Sequence, residues 1–222
     1  MIDINKYMEK LIFNLKSAFS TRLVYVGLQG SYSRDEATQN SDIDIAVILD
    51  QLLMEDMDTY RQVINTLECA DKSCGFICGK DEMRSWNPLE ICQLVHETKD
   101  YYGALQPLVP TYTRTDVMNY VKLGICNVFH MICHEYIHAS PEECHTNLQY
   151  SYKTVFYLLQ NLHYLRTSNY IKTKSELLTV LNGDDLRLLQ TAQKIKEDSD
   201  FDFTLINDLL FHWCKNTLKS ID

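Results

Sequence analysis

The chain has 222 residues, 45% of them hydrophobic and 11% aromatic, which is enough apolar side chain for one large core or two small ones. Its formal net charge is −9 and no basic stripe is visible, which argues against a nucleic-acid acceptor, because proteins that hold a phosphate backbone concentrate Lys and Arg. No apolar run approaches membrane-spanning length and the first residues lack the uninterrupted apolar centre of a signal peptide, so a cytoplasmic protein without a membrane partner is expected.

Ile4, Tyr7, Met8, Leu11, Ile12 and Leu15 recur at helical spacing and predict an amphipathic first helix. Arg22 to Leu28 (RLVYVGL) is short, apolar and rich in β-branched and aromatic residues, which predicts a buried strand ending at Gln29. Gly30 then allows a tight turn close to a bound group. Ser31 adds a hydroxyl and an amide N–H, and a helix starting here would turn its unpaired N–H groups outward, as a phosphate cradle requires.

Ser41 to Leu49 (SDIDIAVIL) alternates and then runs apolar, which predicts a second strand. Alternation puts Asp42 and Asp44 on one face, with Ile43 and Ile45 toward the core. Two hard oxygen ligands suit Mg2+, which keeps several waters and is usually held by one or two carboxylates plus substrate phosphates. An Asp-x-Asp pair alone is more often a solvated strand end. Here it gains weight from the order strand, Gly-Ser, loop, Asp-x-Asp.

Downstream, the pattern predicts a helix over Leu52 to Cys69, a strand over Cys74 to Gly79 and a helix from about Leu89 to Lys99. Gly103, Pro107 and Pro110 then mark a break, which sets a first domain at 1–110 and a second at 111–222. The second is helical in pattern throughout. Ser140-Pro141-Glu142-Glu143 predicts a capped helix start, Thr173-x-x-Glu176 another, Asn182-Gly183 a helix end, and a last helix from about Thr204 carries Leu205, Leu209 and Trp213. Most of the eight cysteines sit singly in apolar segments and read as reduced, buried thiols; Cys74 and Cys78 are close, without the paired knuckles of a structural zinc site.

Gly30, Ser31, Ser41, Asp42 and Asp44 together resemble the signature of the nucleotidyltransferase superfamily, the DNA polymerase β-like fold: Gly-Ser, a loop of about ten residues, then Ser-Asp-x-Asp at the start of a strand. The loop departs at Asp35, where many members have Gly. The resemblance implies an α+β fold, with a small mixed sheet flanked by helices followed by an antiparallel helical bundle that serves as a substrate-binding or accessory domain. It also implies transfer of a nucleoside monophosphate from ATP or another NTP to an acceptor hydroxyl, with release of pyrophosphate. On that reading Asp42 and Asp44 hold Mg2+, and Gly30, Ser31 and Ser41 meet the nucleotide. A third carboxylate normally completes such a site from a neighbouring strand. The Cys74–Gly79 segment carries none, which leaves Glu82 as first choice and Glu97 as second. Tyr164 to Leu178 (YLRTSNYIKTKSELL) looks like a bundle segment of the small-molecule branch, which would bring Tyr170, Lys172 or Lys174 toward the triphosphate or the leaving pyrophosphate, Lys174 being chosen here.

The expected acceptor is a small hydroxylated molecule, and the protein's acidity suits a cationic antibiotic such as an aminoglycoside. The alternative is a regulatory, antitoxin-like protein of the same fold that modifies a partner protein or only binds nucleotide. A third reading comes from His134-Glu135-Tyr136-Ile137-His138, which matches the HExxH pattern of zinc peptidases, with His130 on the same face. No third ligand is evident there, and incidental histidines near a helix end are the commoner explanation.

Overall fold

A computed structural model describes residues 2–197 and 201–221, without the side chains of 141, 145, 196 and 197. The chain forms two compact units, Met1–Tyr112 and Thr113–Asp222.

The first unit opens with α1 (Ile4–Phe19), capped by the Asp3 side chain, which accepts the Lys6 N–H at 3.2 Å. The helical spacing works as predicted, with Tyr7, Met8, Leu11, Leu15 and Phe19 buried. There follow β1 (Leu23–Gln29), a one-turn helix α2 (Gly30–Ser33), β2 (Ile43–Leu49), α3 (Met54–Asn65), β3 (Ser73–Gly79), α4 (Lys80–Arg84), α5 (Pro88–Glu97) and β4 (Lys99–Tyr102). The sheet order is β3-β2-β1-β4, with β1 antiparallel to β2 and β4, and β2 parallel to β3. This is the small mixed sheet expected.

Alternation along the strands builds a core on each face. Val26, Leu28, Ile43, Ile45, Val47 and Leu49 pack with Leu11, Leu15 and other α1 residues, while Tyr25, Ala46, Ile48 and Cys78 pack with Met83, Leu105 and Leu108. Each fully buried side chain of this size contributes about 1.5–3 kcal/mol. Arg22, just ahead of β1, ties the strand to α3: its guanidinium donates to both oxygens of Asp56 (2.8 and 2.7 Å) and to the Gln51 carbonyl (2.8 Å). That pairing, with the Leu53 N–H donating to Asp56, holds the Asp56 carboxyl below the usual carboxylate range.

Two expectations are corrected and a third is refined. The helix predicted over Leu52–Cys69 is confined to α3, because Cys69 takes a left-handed conformation (φ 60°) and Ala70–Lys72 form a tight turn into β3. Lys99 does not end a helix. The Thr98 hydroxyl bonds to the Leu94 carbonyl as α5 stops, and Lys99–Tyr102 run on as β4 against β1. The helix expected to end at Asn182-Gly183 stops two residues earlier, at Val180, and the dipeptide also opens the next helix.

The second unit contains α6 (Arg114–His138), α7 (Pro141–Thr167), α8 (Lys174–Val180), α9 (Gly183–Glu197) and α10 (Phe203–Ser220). Thr113 with Asp116 and Ser140 with Glu143 form reciprocal caps at the starts of α6 and α7, the second as the sequence predicts. Only Ala139 and Ser140 separate these two helices, so α7 doubles back along α6. Val117, Val121, Ile125, Val128 and Ile132 are buried on α6, as are Leu148, Tyr152, Val155, Leu159 and Leu162 on α7. Gly124 lets the two helices approach closely, since a Cβ there would lie 2.5 Å from Leu158 Cδ2. On α10 the buried residues are Leu210, Trp213, Cys214 and Thr217, while Leu205 is exposed. Among the described residues no helix is long and apolar enough to cross a membrane.

Candidate functional site

The Gly-Ser turn and the Asp-x-Asp segment meet at one end of the β1–β2 hairpin. Gln29 and Asp44 are register partners, so the turn begins where Asp44 enters its strand. Gly30 has φ +67°, a conformation that disfavours a side chain, and a Cβ on it would lie 1.9 Å from Asp44 Oδ2. The Asp44 carboxylate therefore lies directly against the backbone of the turn. Asp44 is half-buried; Asp42 is exposed and stands one residue before β2 begins.

A network behind the turn fixes its path. The Ser33 hydroxyl donates to the Glu97 carbonyl (2.9 Å), with the Gly30 carbonyl 3.1 Å away, and Gln29 Nε2 donates to Thr98 Oγ1 (2.8 Å). Arg34 is buried and pairs with buried Glu97 at 2.5 Å and with Glu36 at 3.2 Å. The Glu36 N–H closes the loop onto the Ser31 carbonyl (2.9 Å). Asp35, the residue that departs from the family pattern, has φ +58°. The glycine common there answers a left-handed backbone, which Asp tolerates better than most residues.

The remaining predicted residues fall elsewhere. Glu82 lies at the opposite end of the sheet: β3 runs parallel to β2, Asp44 opposes Cys74, and Leu49 opposes Gly79, against which the Glu82 carboxylate packs. Five residues of strand separate the two places, about 16 Å. Glu82 is therefore not part of the Asp42/Asp44 cluster. Glu97 is near the turn, but its carboxylate is engaged by Arg34. The Ser41 hydroxyl accepts the Thr38 N–H (2.9 Å) and so shapes the loop ahead of Asp42. Lys174 begins α8 in the second unit, its Nζ 5.0 Å from the Phe156 ring centroid.

On α6, His134 and His138 are exposed with ring centroids 4.9 Å apart, and His130 lies one turn before. Burial raises the Glu135 carboxyl, opposed by His134 and Asn147. The His145 side chain lies outside the described residues, and among those described no three His, Cys, Asp or Glu gather as a metal cage. Among the described residues the zinc-peptidase reading thus finds no third ligand. Sequence reasoning missed Arg34, Tyr25 and Asp100. The last two escaped notice because β4 was not foreseen.

Residues 9–76, from α1 into β3, match the family described as Polymerase beta, Nucleotidyltransferase. That match lies wholly within the first unit and spans both strands of the β1–β2 hairpin. The chain shares its fold with a solved structure of spectinomycin adenyltransferase AAD(9) from Enterococcus faecialis with ATP and spectinomycin. That match has a TM-score of 0.58 at 15% identity and covers 97% of this chain and 99% of the other. A toxin-antitoxin structure with AMP-PNP is matched at 26% identity with a TM-score of 0.33, over 58% of this chain and 92% of the other. No curated protein sequence matches.

The donor set at the hairpin end is two carboxylates beside a turn without a Cβ. That set fits a magnesium ion whose other positions are filled by water and phosphate oxygens, and does not fit a closed structural zinc site.

Proposed function

We propose that this protein is a nucleotidyltransferase that moves a nucleoside monophosphate, from ATP or another NTP, to a hydroxyl of a small acceptor molecule. The observation that carries the reading is the Asp44 carboxylate lying on the Gly30 turn, because it joins the two halves of the family motif in one place. In this reading the Gly30-Ser31 backbone binds the distal phosphates, and Asp42 and Asp44 hold Mg2+ that arrives with the nucleotide. Bound there, the ion would neutralise charge that develops on the phosphates. The acceptor oxygen forms a bond to the α-phosphorus, the bond to pyrophosphate breaks, and the acceptor proton passes to solvent. The protein's share is positioning: the Arg34–Glu97 network fixes the turn, and the β1–β2 ladder fixes Asp44 against it.

The acidity of the chain favours a cationic acceptor. The fold neighbour solved with spectinomycin makes aminocyclitols the first acceptors to try. The test is incubation with Mg2+ and each labelled triphosphate against spectinomycin, aminoglycosides, lincosamides and candidate partner proteins, followed by analysis for label transfer. Asp42→Asn and Asp44→Asn should each abolish transfer. Full activity in both variants would remove the proposed metal site.

One observation favours a second reading, in which nucleotide is bound with little turnover, or a partner protein is the acceptor. The residue opposite Asp44 on β3 is Cys74, an exposed thiol, so that neighbouring strand brings no third carboxylate to the pair. Label appearing only on a protein, or nucleotide retained without transfer to any acceptor, would select that reading.

A further inference from the structure

Tyr25, Gly27 and Asp100 form an arrangement that core packing alone leaves unexplained. Tyr25 is 0% exposed, yet its hydroxyl donates a 2.6 Å hydrogen bond to Asp100, an exposed residue of the edge strand β4. Gly27 stands opposite Asp100, and a Cβ on it would lie 2.2 Å from the Tyr25 hydroxyl and 2.6 Å from Thr98 Cγ2. The glycine clears the path by which a buried phenol reaches a surface carboxylate. Burial, then the neighbouring Asp100 carboxylate, raises the pKa of that phenol, so it remains a donor at any working pH.

A carboxylate that only needed solvation would find water there. Instead one of its oxygens is fixed from beneath. The nearest cation in sequence, Lys99, lies over the Tyr101 ring (5.3 Å), and among the described residues no Lys or Arg pairs with Asp100.

Register puts Asp100 on the sheet face that bears Asp44. Gly27 opposes Asp100 on β4 and Ala46 on β2, and Ala46 is one strand repeat from Asp44. Two strand spacings and one repeat give a Cα separation of about 12 Å. The hydrogen bond from Tyr25 fixes the orientation of this exposed carboxylate. The carboxylate is therefore suited to holding a positive charge.

We propose that Asp100, held by Tyr25, is a specificity-determining residue that binds an ammonium group of the acceptor, roughly 10 Å from the hydroxyl that receives the nucleotidyl group. This deepens the function proposed above and rests on it. It narrows the acceptor to a molecule of sugar or cyclitol size carrying a protonated amine at one end and the reacting hydroxyl at the other.

The test is equilibrium binding by calorimetry of a panel of aminocyclitols and aminoglycosides, each beside its N-acetylated form, with ATP binding measured in parallel. The wild type should prefer the free amines by about five- to tenfold, the range open to a single solvent-accessible but anchored charge pair. Asp100→Asn should remove the preference and Tyr25→Phe should weaken it about two- to threefold, neither changing ATP affinity. A preference retained in Asp100→Asn overturns the proposal. So does a wild type that binds ATP but takes free and acetylated forms equally, or binds neither. A wild type that fails to bind ATP removes the proposed function itself, and this assignment with it.

Discussion

Gly30→Ala tests the site most directly, because two separate costs can be worked out in advance. At φ +67° an L-residue carries a backbone penalty of about 1 kcal/mol or a little more, which for a unit of this size lowers Tm by about 4–8 °C. The new methyl group would also meet Asp44 Oδ2 at 1.9 Å where ordinary contact begins at 3.4 Å, so the carboxylate must retreat by 3.4 − 1.9, about 1.5 Å. A displacement of that order in a positioned group costs on the order of a hundredfold in rate. Gly183→Ala supplies the control: its φ is +56°, and nothing lies within 4 Å of the added carbon. It should show a comparable thermal penalty with unchanged turnover. The assay is label transfer from NTP alongside thermal denaturation for both variants. Should Gly30→Ala keep kcat/KM within about threefold of wild type, the placement of Asp44 against the turn would have no part in the chemistry.

Three further outcomes are expected. Glu97→Gln leaves Arg34 buried without its closest anion and should cost about 3 kcal/mol by denaturant titration, whereas Arg34→Met with Glu97→Leu should recover much of that loss while transfer stays impaired through the loosened turn. Arg22 lowers the folded pKa of Asp56, so the stability this carboxylate contributes is present above the ordinary Asp value of about 3.9 and is lost as pH falls through the lowered value. Melting temperatures taken from about pH 5 down to about pH 2 should therefore fall more steeply in wild type than in Asp56→Asn, the two curves converging at the acid end. Brief alkylation near neutral pH, read by mass spectrometry, should mark exposed Cys74 and Cys126 first, while burial, which pushes Cys78 and Cys92 up to about 11 and Cys214 up to about 12, keeps those three unmodified.

What the sequence made legible was local. The spacing of Tyr7, Met8, Leu11 and Leu15 announced α1, and the apolar runs at Leu23–Gln29 and Ile43–Leu49 announced the central hairpin, because in each case the burial pattern is written in adjacent residues. What stayed hidden depended on pairing. Lys99–Tyr102 has neither alternation nor an apolar run, and becomes a strand only because β1 has an edge to offer. Glu82 was a reasonable candidate while the direction of β3 was unknown; parallel pairing with β2 sends it to the wrong end of the sheet. Asp35 shows the reverse case, a local exception whose reason is its positive φ. Asn182-Gly183 marks a stop two residues after α8 ends and also a start, and the acids that follow, Asp184 and Asp185, suit the first turn of α9.

The β1–β2 ladder has a consequence for how this protein can diverge. Gly30 and Asp44 are kept together by interstrand hydrogen bonds and not by the residues that join them, so insertions or deletions between 35 and 41 would leave their spacing untouched. A single-residue slip within either strand, by contrast, would part Asp44 from the Gly30 turn at once.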